Sequence, residues 1–389
     1  MLNQRAKILL FLLLIQGLAA WGQPTERISI DWAAPFPQDT SVRQGILSNG
    51  LQYFIRYNNE PRDRAEFRLA VKAGSLQEED DQLGVAHFVE HMAFNGTRHF
   101  EKNTLVDFME RNGSGFGADL NAYTSFDRTV YKLKIQTDTQ TVVDTALQIL
   151  VDWAGGLSFD PEEVEKERGI IRSEWRSRLD SRQRLEDQSY AVLFPNSRYL
   201  ARFPIGDPVL IDTVSAQRLA DFHQRWYQPK NMAIIAVGNF SVDDMEAAIK
   251  AKFSELKNRD FVPTKNYALD TSSRQSFLLA TDDEAAFTRW EVNFQLDPLK
   301  KRGTLGDLRQ QLVYRLYNSL LGKRFAAIRE QEVPPYTFAG ANYSNLLYKY
   351  RSYRLSAMVE PDQVLAALER VLLEPQRASL HGFNEAAKT

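Results

Sequence analysis

His87, Glu90 and His91 stand in the run His87-Phe88-Val89-Glu90-His91, which places two imidazoles and a carboxylate within five residues. On a helix, histidines at i and i+4 fall one turn apart on the same side, with Glu90 projecting beside them. The flanking Leu83, Val85, Ala86, Phe88, Val89, Met92, Ala93 and Phe94 leave no polar face, so this helix is expected to be buried all round. Three ionisable groups side by side in a core need a common partner. A divalent cation is one such partner. Neutral imidazole is its commonest nitrogen ligand, and a neighbouring carboxylate can take a proton from water at the metal. The alternative is a hydrogen-bonded core cluster.

A metal held by two histidines calls for a third ligand, and a later helix offers two candidates. Asp160-Pro161-Glu162-Glu163 reads as its start, with Asp160 as N-cap, Pro161 at the first helical position and Glu163 able to close a capping box. At about 100° per residue, Val164, Ile170, Ile171 and Trp175 mark its apolar face. Glu167 and Glu174 fall within about 20° of each other in the middle of that face. Glu165, Lys166, Arg172 and Arg176 point elsewhere. Two carboxylates aimed at a core require either a metal or arginine partners.

The rest of the chain bounds the setting. Arg5 and Lys7, an apolar run from Leu9 to Ala20 and the small residues around Ala20-Trp21-Gly22 read as a signal peptide over residues 1–22. Export to the periplasm is therefore expected, with an uncleaved membrane anchor as the alternative. No later stretch is apolar enough to span a bilayer. The 389 residues contain no cysteine, which excludes disulfides and thiolate ligands, so any metal site must use histidines and carboxylates. A formal charge of −2, spread without blocks, argues against a nucleic-acid surface.

Residues 23–42, rich in proline, are expected as an extended lead-in. Residues 43–257 then carry alternating strands at Leu51 to Tyr57, Ala65 to Ala73 and Thr129 to Ile135, and an apolar strand at Met232 to Val237. Helical patterns cover Leu105 to Asn112, Thr141 to Trp153, Val214 to Tyr227 and Ser241 to Leu256. Asn103 or Thr104 is the expected cap of the first. The loop Gly113-Ser114-Gly115-Phe116-Gly117 lacks the lysine and the strand–loop–helix setting of a phosphate site, and suggests instead a place where another backbone comes close. His223, beside Trp226 and Tyr227, reads as a packing residue. Residues 258–273 look like a linker to a second domain over 274–389. There, strands at Phe277 to Ala280, Trp290 to Leu296 and Tyr350 to Met358 accompany helices at Leu305 to Glu330 and Asp362 to Leu373. A further helix is expected beyond Gln376. Tyr350 to Leu373 echoes Tyr131 to Trp153 as strand, polar turn and amphipathic helix. This suggests a duplicated α+β unit with the metal motif in the first copy and an incomplete, inactive second copy.

Several blocks together carry a resemblance. They are His87-Phe88-Val89-Glu90-His91-Met92-Ala93-Phe94-Asn95-Gly96-Thr97, Asn121-Ala122-Tyr123-Thr124-Ser125, Glu167-Arg168-Gly169-Ile170-Ile171-Arg172-Ser173-Glu174-Trp175, and Arg225-Trp226-Tyr227-Gln228-Pro229. With these, the chain from about Gly45 to Asn239 resembles the pitrilysin/insulinase family of zinc peptidases, with its inverted H-x-x-E-H motif, above all its exported bacterial, PqqL-like branch. The resemblance implies an α+β fold of duplicated domains, each a mainly antiparallel sheet packed with helices. It also implies one zinc ion held by His87, His91 and Glu174, with Glu90 as general base and Glu167 as a supporting residue. Asn121 and Ala122 match the strand edge at which family members dock an extended peptide. The implied activity is hydrolysis of peptides or unfolded protein segments. Family members build a chamber from two halves, so the resemblance also implies a complementary C-terminal half or second subunit. The alternative to a working endopeptidase is a non-catalytic peptide-binding or assembly half that needs this complement for activity. A purely structural metal site is the third reading, and it leaves Glu90 without a role.

Overall fold

The computed structural model describes residues 30–383 apart from 103, 266, 270–274, 297–302 and 348–349. The expected signal peptide, the first seven residues of the lead-in and the last six residues lie outside the described residues. No helix among the described residues is long and apolar enough to cross a membrane. Two compact units result, one of residues 39–286 and one in which residues 30–38 join residues 287–383.

The first unit is a six-stranded sheet with helices. Its strands are β1 (Val42–Ile46), β2 (Gln52–Tyr57), β3 (Arg64–Val71), β4 (Leu120–Thr124), β5 (Thr129–Gln136) and β6 (Met232–Gly238). They lie in the order β1-β2-β6-β3-β5-β4, antiparallel except where β2 and β6 run parallel. Alternation dictates the faces. Along β3, Ala65, Phe67, Leu69 and Val71 are buried, while Glu66 and Arg68 point the other way, as one-sided antiparallel sheets require.

The helices of this unit are α1 (Val85–Met92), α2 (Thr104–Arg111), α3 (Gln140–Gly155), α4 (Pro161–Ser177), α5 (Ser181–Leu193), α6 (Pro208–Thr213), α7 (Ala216–Trp226) and α8 (Val242–Phe253). Thr104 is the first residue of α2 rather than its cap, and Asn103 falls outside the described residues. Sequence periodicity did not reveal α5 or α6. The first is mostly polar and buries no residue completely, and the second is only six residues long. Trp153 of α3 is fully buried, meets Phe94 edge-on and Tyr131 at a tilt, and donates its indole N–H to the Ala93 carbonyl at 2.8 Å. Asp152 beside it accepts from the Thr97 hydroxyl at 2.7 Å and the His99 amide at 2.9 Å. Together these bonds fix the chain just beyond α1.

The second unit pairs β7 (Thr288–Leu296), β9 (Tyr350–Val359) and β8 (Phe338–Leu347) in an antiparallel sheet in that order, with α9 (Leu305–Arg329) and α10 (Val364–His381). The lead-in belongs here. Pro35 bridges to Thr304, and Phe36 donates its amide to the Gly303 carbonyl at 2.6 Å.

Three expectations need correction. Residues 277–280 form no strand, and Phe277 is exposed; the chain from Asp282 is instead tied to α5 by the Arg184 guanidinium, two of whose nitrogens lie 2.7 Å from Asp282. The units accordingly part between Ala286 and Phe287, beyond the expected 258–273 linker. β8, which carries Gly340, Asn342 and Asn345, escaped prediction because its pairing with β9 rather than its own propensity makes it a strand. The expected break after Leu373 is absent. α10 runs through Pro375 to His381, with the buried Glu374 gripped by Arg377 at 2.9 Å and approached by Arg370 and Arg324.

Replacing Trp153 by phenylalanine keeps an aromatic ring but removes the donor to Ala93. Urea unfolding should show a loss of about 1–3 kcal/mol for that variant, and about 3–5 kcal/mol for Trp153→Ala.

Candidate metal centre

The motif helix α1 is buried almost completely, as expected from its apolar surround: all its residues but His91 are buried. His87 and Glu90 are 8% and 7% exposed, so both titratable side chains are taken out of water. The two imidazoles meet edge to face, with ring centroids 4.6 Å apart.

Helix α4 crosses them with both of its inward carboxylates. Its start differs in one detail. Asp160 accepts from the amides of Glu162 and Glu163 as an N-cap should, but Glu163 turns away to Lys166 at 2.9 Å and closes no capping box. Glu167 is 6% exposed and uses both oxygens. His91 Nδ1 donates to Oε1 at 2.6 Å, and Asn95 Nδ2 donates to Oε2 at 2.6 Å. Glu174 is one-third exposed; Arg178 holds its Oε1, while its Oε2 points at both histidines.

Ile170 was placed on the buried face, yet it is 55% exposed. Val164 and Ile171 lie about 40–60° to one side of Glu167 and are buried, whereas Ile170 lies about 60° to the other. The helix is therefore covered asymmetrically. Its open side, with Gly169, Ile170, Ser173, Glu174 and Ser177, lines a shallow cleft of about 580 Å³.

Three donor atoms converge in this arrangement. His87 Nε2 and His91 Nε2 are 3.2 Å apart, and Glu174 Oε2 lies 3.6 Å and 3.5 Å from them. A tetrahedral zinc ion with bonds of about 2.0–2.2 Å separates its ligand atoms by about 3.3–3.6 Å. The triangle is thus of the size that one such ion spans, and the donor set of two imidazoles and a carboxylate suits it. The His91–Glu167 bond is of the kind that orients a ligating imidazole, since its Nδ1 proton is committed and its Nε2 lone pair is left inward. His87 has no such support: its Nδ1 is buried without a hydrogen-bond partner.

The electrostatics express the same crowding. Burial, followed by the neighbouring charge on His91, pushes His87 down to about 3. Burial lowers His91 too, but its bonds to Glu167 and Glu174 outweigh that and push it up to about 9. The His91 hydrogen bond, helped by His87 and Arg178 against burial, holds Glu174 down at about 2. Burial pushes Glu90 up, opposed by the Thr124 hydroxyl that donates to its Oε2 at 2.6 Å. The cluster therefore favours one positive charge at its centre.

Asn121 and Ala122 lie on β4, the outer strand of the sheet, whose last residue is Thr124. One amide of this edge is taken up by a neighbouring side chain. Ala122 N–H donates to Asn121 Oδ1 at 2.8 Å, and Asn121 Nδ2 donates to the Gly117 carbonyl at 2.8 Å. The glycine loop before it was expected to admit another backbone. At Gly115 and Gly117, however, an added Cβ would meet nothing within 4 Å, and at Gly113 and Gly117 the requirement is a positive φ, +74° and +87°. His223 is a packing residue: burial pushes it down to about 4, and its Nε2 meets the Trp153 carbonyl at 3.1 Å.

Sequence reasoning missed Asn95, Thr124 and Glu78. Asn95 and Thr124 sat inside quoted motifs with no signal of their partners. Glu78 opens the acidic stretch Glu78 to Asp81 ahead of α1, yet it is fully buried, and burial pushes its carboxyl up to about 8 against the pull of two amides, Arg202 and Arg198.

Residues 53–199 match the insulinase (peptidase family M16) model, and residues 213–387 match the model of the peptidase M16 inactive domain. The chain is 36% identical over 299 residues to the probable zinc protease PqqL of Haemophilus influenzae, covering 74% of this chain and 31% of that protein. The crystal structure of the periplasmic protease PqqL from Escherichia coli superposes with a TM-score of 0.83 at 32% identity, over 91% of this chain and 39% of that one. The structure of the first half of the same Escherichia coli protein gives 0.82 at 31%, over 91% and 76%. The chain thus spans about a third of the length of the Haemophilus influenzae protein. On the strength of these matches and of the two α+β units, the chain belongs to the insulinase family of peptidases, family M16.

Proposed function

We propose that the chain is the zinc-binding part of an endopeptidase that hydrolyses peptides or unfolded protein segments. The observation that carries this reading is the triangle of His87 Nε2, His91 Nε2 and Glu174 Oε2, of a size to hold one ion, with Glu90 one residue from His91. These three side chains would hold zinc. When bound, zinc supplies Lewis acidity, which polarises a carbonyl and acidifies water.

The remaining steps fall to the protein. Glu90 takes the proton of the attacking water and passes it to the leaving amine. Thr124 fixes Oε2 of Glu90, leaving Oε1 for that work. Glu167, itself held by Asn95, keeps the His91 ring in place. An extended substrate lies along β4 at Asn121 and Ala122. There its carbonyl takes over the Ala122 amide as the Asn121 side chain turns away, giving affinity with little demand on sequence. The protein acts after export, in the periplasm. Arg5, Lys7 and the apolar run to Ala20 support that location, as does the periplasmic Escherichia coli relative. An uncleaved anchor is the alternative.

A second reading is favoured by the share of its relatives that the chain covers, 31% and 39% in the two cases above. In that reading the chain binds peptide but needs a complementary C-terminal half or second subunit for turnover.

Two measurements test these assignments. A mixed pool of unstructured peptides should be cleaved by the zinc-loaded chain, about 10²–10⁴-fold more slowly by Glu90→Gln, and not at all after chelation. Cleavage by Glu90→Gln at the parent rate refutes the assignment of the base. Bound zinc without products supports the second reading, in which adding the complementary half restores cleavage. In metal titrations, Glu167→Gln should weaken zinc binding about 10–100-fold and Glu174→Gln by more. The reverse order would exchange their roles.

A further inference from the structure

Helix α1 has eight residues, and its N-cap is Gly84, which has no side chain to offer the amides of the first turn. Amides at a buried helix start need acceptors. Glu78 supplies them from six residues upstream. Its Oε2 accepts from Gly84 N–H at 3.2 Å and its Oε1 from Ala86 N–H at 2.9 Å, the latter immediately before His87. The carboxylate is 0% exposed.

Glu78 is itself held. Arg198 and Arg202 both donate to its backbone carbonyl, Arg202 pairs with Asp80, and the Ser75 hydroxyl donates to the Arg202 carbonyl at 2.6 Å. Gly84 and Gly206, with φ of +99° and +79°, touch so closely that a Cβ on Gly206 would come within 2.3 Å of Gly84 Cα. Residues 75–84 and 198–207 thus form a clamp on the first turn of α1, and the Glu78 carboxylate is where it grips the helix.

We infer that Glu78 is a positioning residue of the metal centre, its carboxylate fixing the first turn of α1 so that His87 and His91 present their Nε2 atoms at the separation one ion requires. This rests on the zinc reading above. A short helix free to fray at its start moves His87, in the first turn, relative to His91, in the second. His87 depends on this anchoring more than His91 does, because its own Nδ1 has no partner while His91 is steered by Glu167.

The test uses the whole chain with Glu78→Ala and Glu78→Gln, reading zinc affinity by chelator competition and the visible spectrum of the cobalt-substituted protein, with urea unfolding alongside. Folded Glu78→Ala should bind zinc at least about tenfold more weakly and show an altered cobalt spectrum, with partial recovery in Glu78→Gln, whose one carbonyl oxygen can serve one of the two amides. Parent-like affinity and spectrum in a folded but less stable Glu78→Ala overturn the inference and leave Glu78 a stability cap. A measurement on the parent alone stands beside these if the variants do not fold. By reciprocity, zinc should slow hydrogen exchange at the Gly84 and Ala86 amides, and unchanged exchange overturns the inference. A parent that binds no zinc overturns the zinc reading itself.

Discussion

The 2.6 Å hydrogen bond between His91 Nδ1 and Glu167 Oε1 joins the two helices on which the rest of the site depends. Helix α1 brings two imidazoles and an acid into a nearly dry core. Such groups are costly there unless each finds a partner. Helix α4 answers with two acids one turn-pair apart, and the two divide the task by environment. Glu167 is buried and has both oxygens engaged, so it serves as a fixed acceptor. Glu174 stands at the edge of the cleft with one oxygen steered by Arg178 and the other turned to the histidines. Two residues of one type on one helix face thus acquire different chemistry from the asymmetric cover of that helix.

Around this pair the fold supplies anchors from several directions. Trp153 and Asp152 of α3 secure the chain where it leaves α1, through the Ala93 carbonyl, Thr97 and His99. Thr124 ties Glu90 to the outer strand β4, so the acid and the sheet edge are parts of one hydrogen-bonded arrangement. Ala122 and Asn121 lie two and three residues from Thr124 on that strand, so the outer edge of the sheet runs up to the residue that holds the acid.

The second unit repeats the scheme of sheet and helices with no cluster of metal-ligating side chains among its described residues. Its β9 and α10 follow one another as β5 and α3 do in the first unit, and its core is built from Leu321, Phe325, Leu355, Ala367 and Val371. Tyr343 stacks between Tyr314 of α9 and Tyr353 of β9, with ring centroids 4.3 Å and 4.2 Å away. Duplicated architecture with the metal-binding types in one copy accords with the match of the later residues to an inactive M16 domain.

Much of this was legible in the chain itself. The i, i+4 histidines, the seven-residue spacing of Glu167 and Glu174, the alternation of β3 and the capping Asp160 are local patterns, and local geometry converts them directly into faces and directions. What the chain did not reveal depends on which surfaces come to lie together. Ile170 and Ile171 differ by one residue, yet one faces the cleft and the other the core. Pro375 ends no helix, and α10 runs through it to His381 with the neighbouring Glu374 buried among arginines. Glu78, Asn95 and Thr124 gave no sign of their partners until folding put the α1 amides, Glu167 and Glu90 within hydrogen-bond reach. The sequence by itself determined which residue types share a face and hence that a metal could be held. The tertiary structure alone decided which acid turns toward the histidines and what holds each of them, because burial and hydrogen bonding are set by partners distant along the chain.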